Sequence, residues 1–203
     1  MVLITAGIML SLFLASMEST VVSTAMPTIV GKLGGLSIYS WAFAAYMITS
    51  TTATPIYGKL SDVFGRRRVY VTATAIFLAG SLLCGLASSM EMLVAFRAVQ
   101  GAGAGGLLSL AFIMVGDMFS VEQRARIQGL FSSVWGVSSI VGPLLGGFIV
   151  DKVAWQWVFF LNIVPGIIAA SIVWLSWRDR PRAGERPSID FAGAGMLTVV
   201  TVT

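Results

Sequence analysis

Two charged side chains lie inside long apolar runs of this sequence, where a membrane would surround them. Glu18 is the acidic residue placed within the core of one run, and Arg97 lies within another. A carboxyl near the middle of a bilayer can take up and release a proton, so we expect Glu18 to carry protons and Arg97 to modulate it. The alternative is that Glu18 only hydrogen-bonds Ser or Thr neighbours and holds helices together.

The depths of these two charges allow a direct or water-bridged contact, provided that their two spans pack together, which the sequence alone does not establish. Counted at ~1.5 Å per residue from the outer ends of their runs, Glu18 lies about 17 Å inward and Arg97 about 14 Å. A guanidinium at that depth costs at least about 2.5–3.5 kcal/mol, so it should face a polar cavity or an acidic partner. Snorkelling of Arg97 to the outer interface is the alternative. Gln100, three residues after Arg97, is assigned to the same cavity.

Composition defines the class of protein. The 203 residues are 57% hydrophobic and 11% charged, with a mean hydropathy of +0.89, whereas soluble domains carry about 25% charge. The chain is therefore an integral membrane protein, with the lipid bilayer as a partner. Its pI near 9.6 does not indicate nucleic-acid binding, because ten of the thirteen Lys and Arg residues (four, two and four) fall in three predicted cytoplasmic segments.

Several kinds of chemistry are excluded by what the sequence lacks. It has no histidine and one cysteine, Cys84, in apolar surroundings. This argues against Ser-His catalysis, histidine or thiolate metal sites and a disulfide framework. We expect no cofactor, no metal and no enzymatic activity, and an intramembrane enzyme is the weakest reading.

Six apolar runs are long enough to cross a bilayer, which takes about 20 residues. The predicted spans are residues 2–29, 39–57, 69–87, 88–115, 127–150 and 155–177. Capping-box spacing at Ser88–Glu91 and at Ser120–Gln123 is predicted to start the fourth and fifth helices. Residues 1–177 are expected to form one six-span bundle, 178–187 a cytoplasmic linker, and 188–203 the start of a truncated seventh span.

The segment 58–68 between the second and third spans sets the orientation. Four of its eleven residues are Lys or Arg, which places it in the cytoplasm by the positive-inside rule. The N-terminus is then also cytoplasmic, and the turns at Lys32 and at Asp151–Lys152 are external.

That segment reads Gly-x-x-x-Asp-x-x-Gly-Arg-Arg and resembles the signature loop of the major facilitator superfamily of secondary transporters. The matching residues are Gly58, Asp62, Gly65, Arg66 and Arg67. The resemblance implies an all-α membrane fold made of two six-span halves, each a pair of inverted three-helix repeats. This chain would be the N-terminal half plus the start of a seventh helix. A generic basic loop that anchors topology is the alternative.

The resemblance also assigns a conformational role to charges at the cytoplasmic face. By resemblance, Asp62, Arg66 and Asp117 form a charge relay that locks the outward-open state. Three other residues of the signature loop are assigned to the same relay: Gly58, Gly65 and Arg67. The alternative is a set of solvated interface charges worth about 0–1 kcal/mol each.

The fourth span carries Arg97 in a motif similar to the superfamily's Arg-bearing motif. The same stretch matches Gly-x-Gly-x-x-Gly at Gly101, Gly103 and Gly106. A dinucleotide site would need a preceding strand and a soluble βαβ unit. We expect instead a helix-packing face of small residues.

The fifth span resembles the motif that marks antiporters within the superfamily. Its residues are Gly136, Gly142, Pro143, Gly146 and Gly147. Ser138 stands where that pattern most often has glycine.

The first and sixth spans resemble those of the fourteen-span drug:proton antiporters. Glu18 is followed by Thr-Val-Val and Ala-x-Pro, with Glu18 in place of the usual Asp and Ser23 in place of the usual Asn. Residues 155–162 resemble the family's sixth-span entry, with Gln156 where Arg is common. The short linker after residue 177 favours fourteen spans over twelve.

These patterns predict a secondary transporter of the inner or plasma membrane that exports drugs or other small amphipathic compounds in exchange for protons. Its partners would be the substrate, protons and a missing C-terminal half of the same protein, because the chain is either a fragment or a natural truncation. The alternative is a six-span subunit acting as a homodimeric transporter or a channel.

Overall fold

The computed structural model describes residues 2–179, which are almost entirely helical and contain no strand. The helices are α1 (Val2–Leu33), α2 (Tyr39–Phe64), α3 (Arg66–Gly85), α4 (Met90–Met118), α5 (Val121–Lys152), α6 (Trp157–Phe160) and α7 (Ile163–Ser176). The predicted linker and seventh span lie, apart from residues 178 and 179, outside the described residues.

Five of the six predicted spans are both long and apolar enough to cross a membrane: α1, α3, α4, α5, and α6 with α7 taken as Trp157–Ser176. The remaining predicted span, the second in the chain, corresponds to α2 and is long enough at 26 residues. It is not among the five because the Ser and Thr residues at 49–54 lower its hydropathy. A hydroxyl-rich helix can still be accommodated when its polar face packs on protein, and α2 packs extensively on α4.

The helices form two consecutive triplets, one of α1, α2 and α3 and one of α4, α5 and the span made of α6 with α7. The two triplets pack against each other reciprocally. α4 packs against α2 and α3, and α1 packs against α5 and α7. Each triplet thus places its first helix against the second and third helices of the other. This exchange is the arrangement that inverted repeats produce, and it confirms the predicted six-helix half of the fold.

Glycines on α4 allow the closest of these contacts. An added Cβ on Gly101 would lie 2.8 Å from Cα of Tyr46, and one on Gly105 would lie 3.0 Å from the carbonyl carbon of Ser50, both on α2. On the side facing α3, a Cβ on Gly103 would lie 2.6 Å from Cα of Phe77. The glycine-rich stretch is therefore the predicted packing face.

The apolar core consists of two clusters. One contains Leu12, Phe77 and Leu107, and the other contains Val22, Cys84 and Leu93. Along α1, α3 and α4 the same order recurs, with one cluster, then buried polar side chains, then the other cluster. The polar side chains thus form a layer across the middle of the bundle.

The segment 58–68 is not the eleven-residue loop that the sequence suggested. α2 continues to Phe64 and α3 begins at Arg66, so Gly65 alone lies outside a helix. Gly65 has φ of 91°, a conformation that glycine adopts without the Cβ penalty. The polar residues and glycines of this segment are typical of a loop, but here the polar residues continue the two helices and Gly65 alone turns the chain.

Other helix ends differ in detail from the prediction. The N-cap of α4 is Ser89, whose Oγ accepts a hydrogen bond from Met92 N at 3.3 Å, and not Ser88. The capping box of Ser120 and Gln123 is confirmed at the start of α5. Asp151 and Lys152 are the last residues of α5 instead of forming a turn. The sixth span is broken into α6 and α7 at residues 161–162.

We predict that Gly103→Ala destabilises the bundle. The added Cβ would meet the backbone of Phe77, which must move, and overpacking of this kind costs about 1–3 kcal/mol. The expected result is a lower midpoint of thermal unfolding in detergent. Gly129→Ala on α5 is the matched control, because a Cβ there meets nothing within 4 Å. Equal midpoints for the two variants would contradict the tight α3–α4 contact.

Candidate functional site

The structure brings Glu18 of α1 and Arg97 of α4 into direct contact. Nη1 of Arg97 lies 2.6 Å from Oε1 of Glu18, and each side chain is 1% exposed. Arg97 therefore does not snorkel to an interface, and that alternative is wrong. Among the described residues Glu18 is the one buried acid.

Gln100 joins the two charges, as its assignment to the same site required. Its Oε1 accepts a hydrogen bond from Nη1 of Arg97 at 2.7 Å. Its Nε2 donates to Oε1 of Glu18 at 2.9 Å and to Oγ of Ser81 at 2.7 Å. Both ends of the amide are thus committed to this cluster.

Three further residues, on two more elements, complete the surroundings of the pair. Asn162, at the break between α6 and α7, donates from Nδ2 to Oε2 of Glu18. On α2, the carbonyl of Ala42 accepts a hydrogen bond from Nε of Arg97 at 3.3 Å. The ring of Tyr46 lies under the guanidinium, with Cζ 4.1 Å from its centroid.

The geometry defines what the site can do. A buried ion pair repays its desolvation only when further hydrogen bonds compensate its two charges, and here α4, α2 and the α6–α7 turn supply such bonds to the pair. Protonation of Glu18 would neutralise the carboxylate and leave Arg97 as an uncompensated buried cation. That state favours any rearrangement that gives the guanidinium a new anion, water or substrate dipole.

Asn162, Ser81 and Tyr46 were missed as site residues by sequence reasoning. Asn162 is the only asparagine in the sequence and stands within an apolar run. A lone amide in such a run is a signal that it has a buried polar partner. Ser81 and Tyr46 carry no comparable signal, because hydroxyls and aromatic rings are common throughout the spans.

Three of the predicted relay residues meet at the end of the bundle that contains Gly65. Nε of Arg66 lies 3.0 Å from Oδ2 of Asp117, and Nη1 lies 2.7 Å from Oδ1 of Asp62. Nη1 of Arg66 also donates to Oγ of Ser61, which is buried. One guanidinium thus connects the last turn of α4 to the last turns of α2.

The other three relay residues lie outside this contact. Gly58 is inside α2, and Gly65 forms the corner where a Cβ would lie 2.6 Å from Oδ2 of Asp179. Arg67 stacks its guanidinium 3.9 Å from the ring centroid of Trp174, and its backbone N–H donates to Asp179 at 3.2 Å. Arg67 therefore attaches the end of α7 to the start of α3 instead of joining the acids.

A cavity of about 690 Å³ opens beside these charges. Its lining carries both signs of charge, from Asp62, Arg66, Arg68, Asp117, Arg178 and Asp179. The charges at this end of the bundle therefore line an open cavity, whereas those of the central site are buried.

The predicted antiporter motif divides between two faces of α5. A Cβ on Gly142 would lie 2.8 Å from Cβ of Thr20, and one on Gly146 would lie 3.0 Å from the carbonyl oxygen of Val21. Gly136 and Gly147 have nothing within 4 Å of an added Cβ, and Pro143 is exposed. Two of the five motif residues thus pack on the turn of α1 that follows Glu18, and the other three face outward.

Ser138, the departure from the motif, has a defined contact. Its Oγ accepts a hydrogen bond from Oγ of Ser16 at 2.6 Å, and both side chains are buried. Its backbone carbonyl accepts from Oγ1 of Thr20 at 3.2 Å. α5 therefore hydrogen-bonds to α1 at residues both before and after Glu18 in the sequence.

Comparison with known proteins gives a consistent family. Residues 8–201 match the family model of the Major Facilitator Superfamily. The chain is 44% identical over 198 residues to the multidrug transporter protein MdtP of Bacillus subtilis, covering 98% of this chain and 36% of MdtP. It is 40% identical to multidrug resistance protein 3 of the same organism, covering 97% of this chain and 38% of the relative. The chain thus spans a little over a third of the length of these curated relatives.

Solved structures share the fold at low identity. The human organic anion transporter MFSD10 superimposes with a TM-score of 0.76 at 16% identity, covering 96% of this chain and 52% of that one. A D-xylose-proton symporter superimposes with a TM-score of 0.74 at 16% identity, covering 88% of this chain and 48% of that one.

We predict strong coupling between Glu18 and Arg97 in stability. Glu18→Gln or Arg97→Met leaves one buried charge without its partner, which costs about 3–5 kcal/mol. The double variant leaves no buried charge at this site, so its thermal unfolding midpoint should lie above that of either single variant. A double-mutant cycle in detergent measures this coupling. Additive losses would show that the pair contributes nothing as a pair.

Proposed function

This chain belongs to the Major Facilitator Superfamily, and from that premise we propose that it forms the N-terminal half of a proton-driven antiporter that exports drugs or other small amphipathic compounds. Its relatives include multidrug transporters and efflux pumps. The observation that carries the proposal is the buried Glu18–Arg97 pair, in which one titratable acid faces one cation within the spanning helices.

The proposed exchange uses two states of that pair. With Glu18 ionised, the pair is neutral and the bundle is packed around it. With Glu18 protonated, the positive charge of Arg97 is no longer balanced, which disfavours a cationic substrate in its vicinity. Proton uptake and substrate release are therefore linked by charge alone, and no other titratable group is needed.

Access to Glu18 requires helix movement, because its side chain is 1% exposed in this arrangement. Rocking of two halves about a midplane site supplies such movement in this superfamily. The second half would cover the outward face of α5, where Ile140, Leu144 and Phe148 are exposed. The greater length of the relatives supports this arrangement over a six-span homodimer.

We further propose that the contact of Asp62, Arg66 and Asp117 is the relay that holds the outward-open state. The contact ties α2 and α3 to α4 at the end opposite Lys32. Opening that end separates these helices from the second half and disturbs the ion pairs. The basic segment 58–68 places this end in the cytoplasm, and the N-terminus of α1 lies at the same end.

We predict that Glu18→Gln abolishes proton-driven efflux in the complete transporter, because the amide cannot carry a proton. Glu18→Asp should retain much of the activity, since it keeps the carboxyl. The measurement is substrate-induced pH change in proteoliposomes, normalised to folded protein. Glu91→Gln is the control, since Glu91 is an exposed acid in the first turn of α4. A wild-type pH response from Glu18→Gln would assign coupling to another group.

We also predict the orientation of the bundle. With Cys84 replaced by Ala, a cysteine at Gly34 should react with an impermeant thiol reagent from outside the cell. A cysteine at Phe64, which is 57% exposed, should react only after the cytoplasmic side is opened. Ser61 is unsuitable for labelling because it is buried. Labelling of a cysteine at position 64 in intact cells would show that the bundle has the opposite orientation in the membrane.

A further inference from the structure

Asn162 occupies a distinctive place in the bundle. It lies in the turn where α6 ends and α7 begins, and its side chain is 1% exposed. Its backbone is committed locally, with its N–H donating to Phe159 O at 3.2 Å and its carbonyl accepting from Gly166 N at 3.0 Å. The side-chain amide is directed to Oε2 of Glu18, and also to Oγ of Ser81 at 3.4 Å.

The two oxygens of Glu18 are not equivalent. Oε1 accepts hydrogen bonds from the cationic Nη1 of Arg97 and from Nε2 of Gln100. Within the described part of the chain, Oε2 accepts from Asn162. A proton added to Oε1 would confront two donors, one of them charged, whereas a proton on Oε2 confronts one neutral amide.

We propose that Asn162 positions the exchanged proton on Oε2 of Glu18 and turns over its side-chain amide when that proton arrives. This inference rests on the proposed role of Glu18 in proton exchange. In the ionised state Nδ2 donates to the carboxylate. In the protonated state the amide presents Oδ1, which accepts from the new O–H group.

The step is balanced and breaks no covalent bond. One proton from water on the open side forms an O–H bond with Oε2, and the same bond breaks when the proton leaves on the other side. An amide suits this task because it can donate to the carboxylate in one state and accept from the protonated acid in the other. Gln100 cannot substitute, because both ends of its amide are held by Arg97, Ser81 and Oε1 of Glu18.

Few other groups around Glu18 can titrate. α4 contributes Arg97, α2 contributes Tyr46 against Arg97, and α3 contributes Cys84 against Gln100 at 3.7 Å. The contacts of α5 with this part of α1 come from Ser138, Gly142 and Gly146, none of which titrates. None of these other groups is a carboxyl, so a carboxyl signal from this layer reports on Glu18.

The test measures protonation of Glu18 directly in the complete protein. The infrared carbonyl stretch of a protonated carboxyl is followed against pH in detergent. The Glu18→Gln/Arg97→Met double variant, which lacks this carboxyl, identifies the signal. Asn162→Leu removes the donor to the carboxylate, which disfavours the ionised form. The midpoint should move to higher pH by about one unit, a tenfold change in proton affinity.

Further variants separate positioning from packing. Asn162→Ala removes the same donor with less volume and gives the same direction of shift should the leucine variant fail to fold. Asn162→Ser restores a group that both donates and accepts, and its midpoint should return toward that of the wild type. Thr74→Val is the matched control, because Thr74 is equally buried but its hydroxyl bonds the carbonyl of Tyr70 on its own helix. Its midpoint should not move.

The outcomes distinguish this inference from the function on which it rests. An unshifted midpoint in the leucine and alanine variants, with a clear Glu18 signal, overturns the role of Asn162 and leaves proton coupling intact. Proton-driven efflux that persists in Glu18→Gln overturns the proposed function instead. A shifted midpoint in Thr74→Val would also overturn the inference, because any buried polar loss would then produce the effect.

Discussion

The rest of this structure depends on the cost of keeping a guanidinium inside a membrane protein. Arg97 can remain charged there only where acceptors surround it, and Glu18, Gln100 and the carbonyl of Ala42 supply them. These groups come from three helices, so the cation fixes the relative height of α1, α2 and α4. The polar layer that results separates the apolar core into two clusters.

Close helix approach is the second requirement, and glycine provides it. A guanidinium on α4 reaches a carbonyl of α2 at 3.3 Å because Gly101 and Gly105 let the two backbones approach. On the other side of the site, Gly142 and Gly146 of α5 do the same for α1. The glycine-rich motifs therefore serve the charged site indirectly, by setting the distances at which its members can bond. These glycines have no side-chain functional groups, and they contribute by lacking a Cβ that would hold the helices apart.

Sequence reasoning could predict the members of the pair but not their complete surroundings. Charge in an apolar run and similar depth, about 17 and 14 Å, made a contact between Glu18 and Arg97 geometrically possible, but whether α1 packs on α4 at that level could not be read from the sequence. Asn162 stands out in the sixth run as a lone amide, but its partner could not be assigned because the contact depends on a helix break that the run does not reveal. The corner at Gly65 was misread for the opposite reason. Its charged residues resemble a loop, but they lie within helices, and Arg66 pairs with Asp62 of α2 and Asp117 of α4. Composition does not reveal such pairing between helices.

The central pair and the charges at the Gly65 end of the bundle share one element, α4. Arg97 and Asp117 are both on α4, twenty residues and therefore about 30 Å apart along its axis. Between them α4 is held by backbone contacts to α2 and α3 at its glycines, which leave no room for independent sliding. A change of charge at Glu18 can consequently reach Asp117 only by moving α4 with its packed neighbours as a body. The same contacts that make the site tight thus make a rigid-body response the physically available route between the central pair and the ion pairs of Arg66.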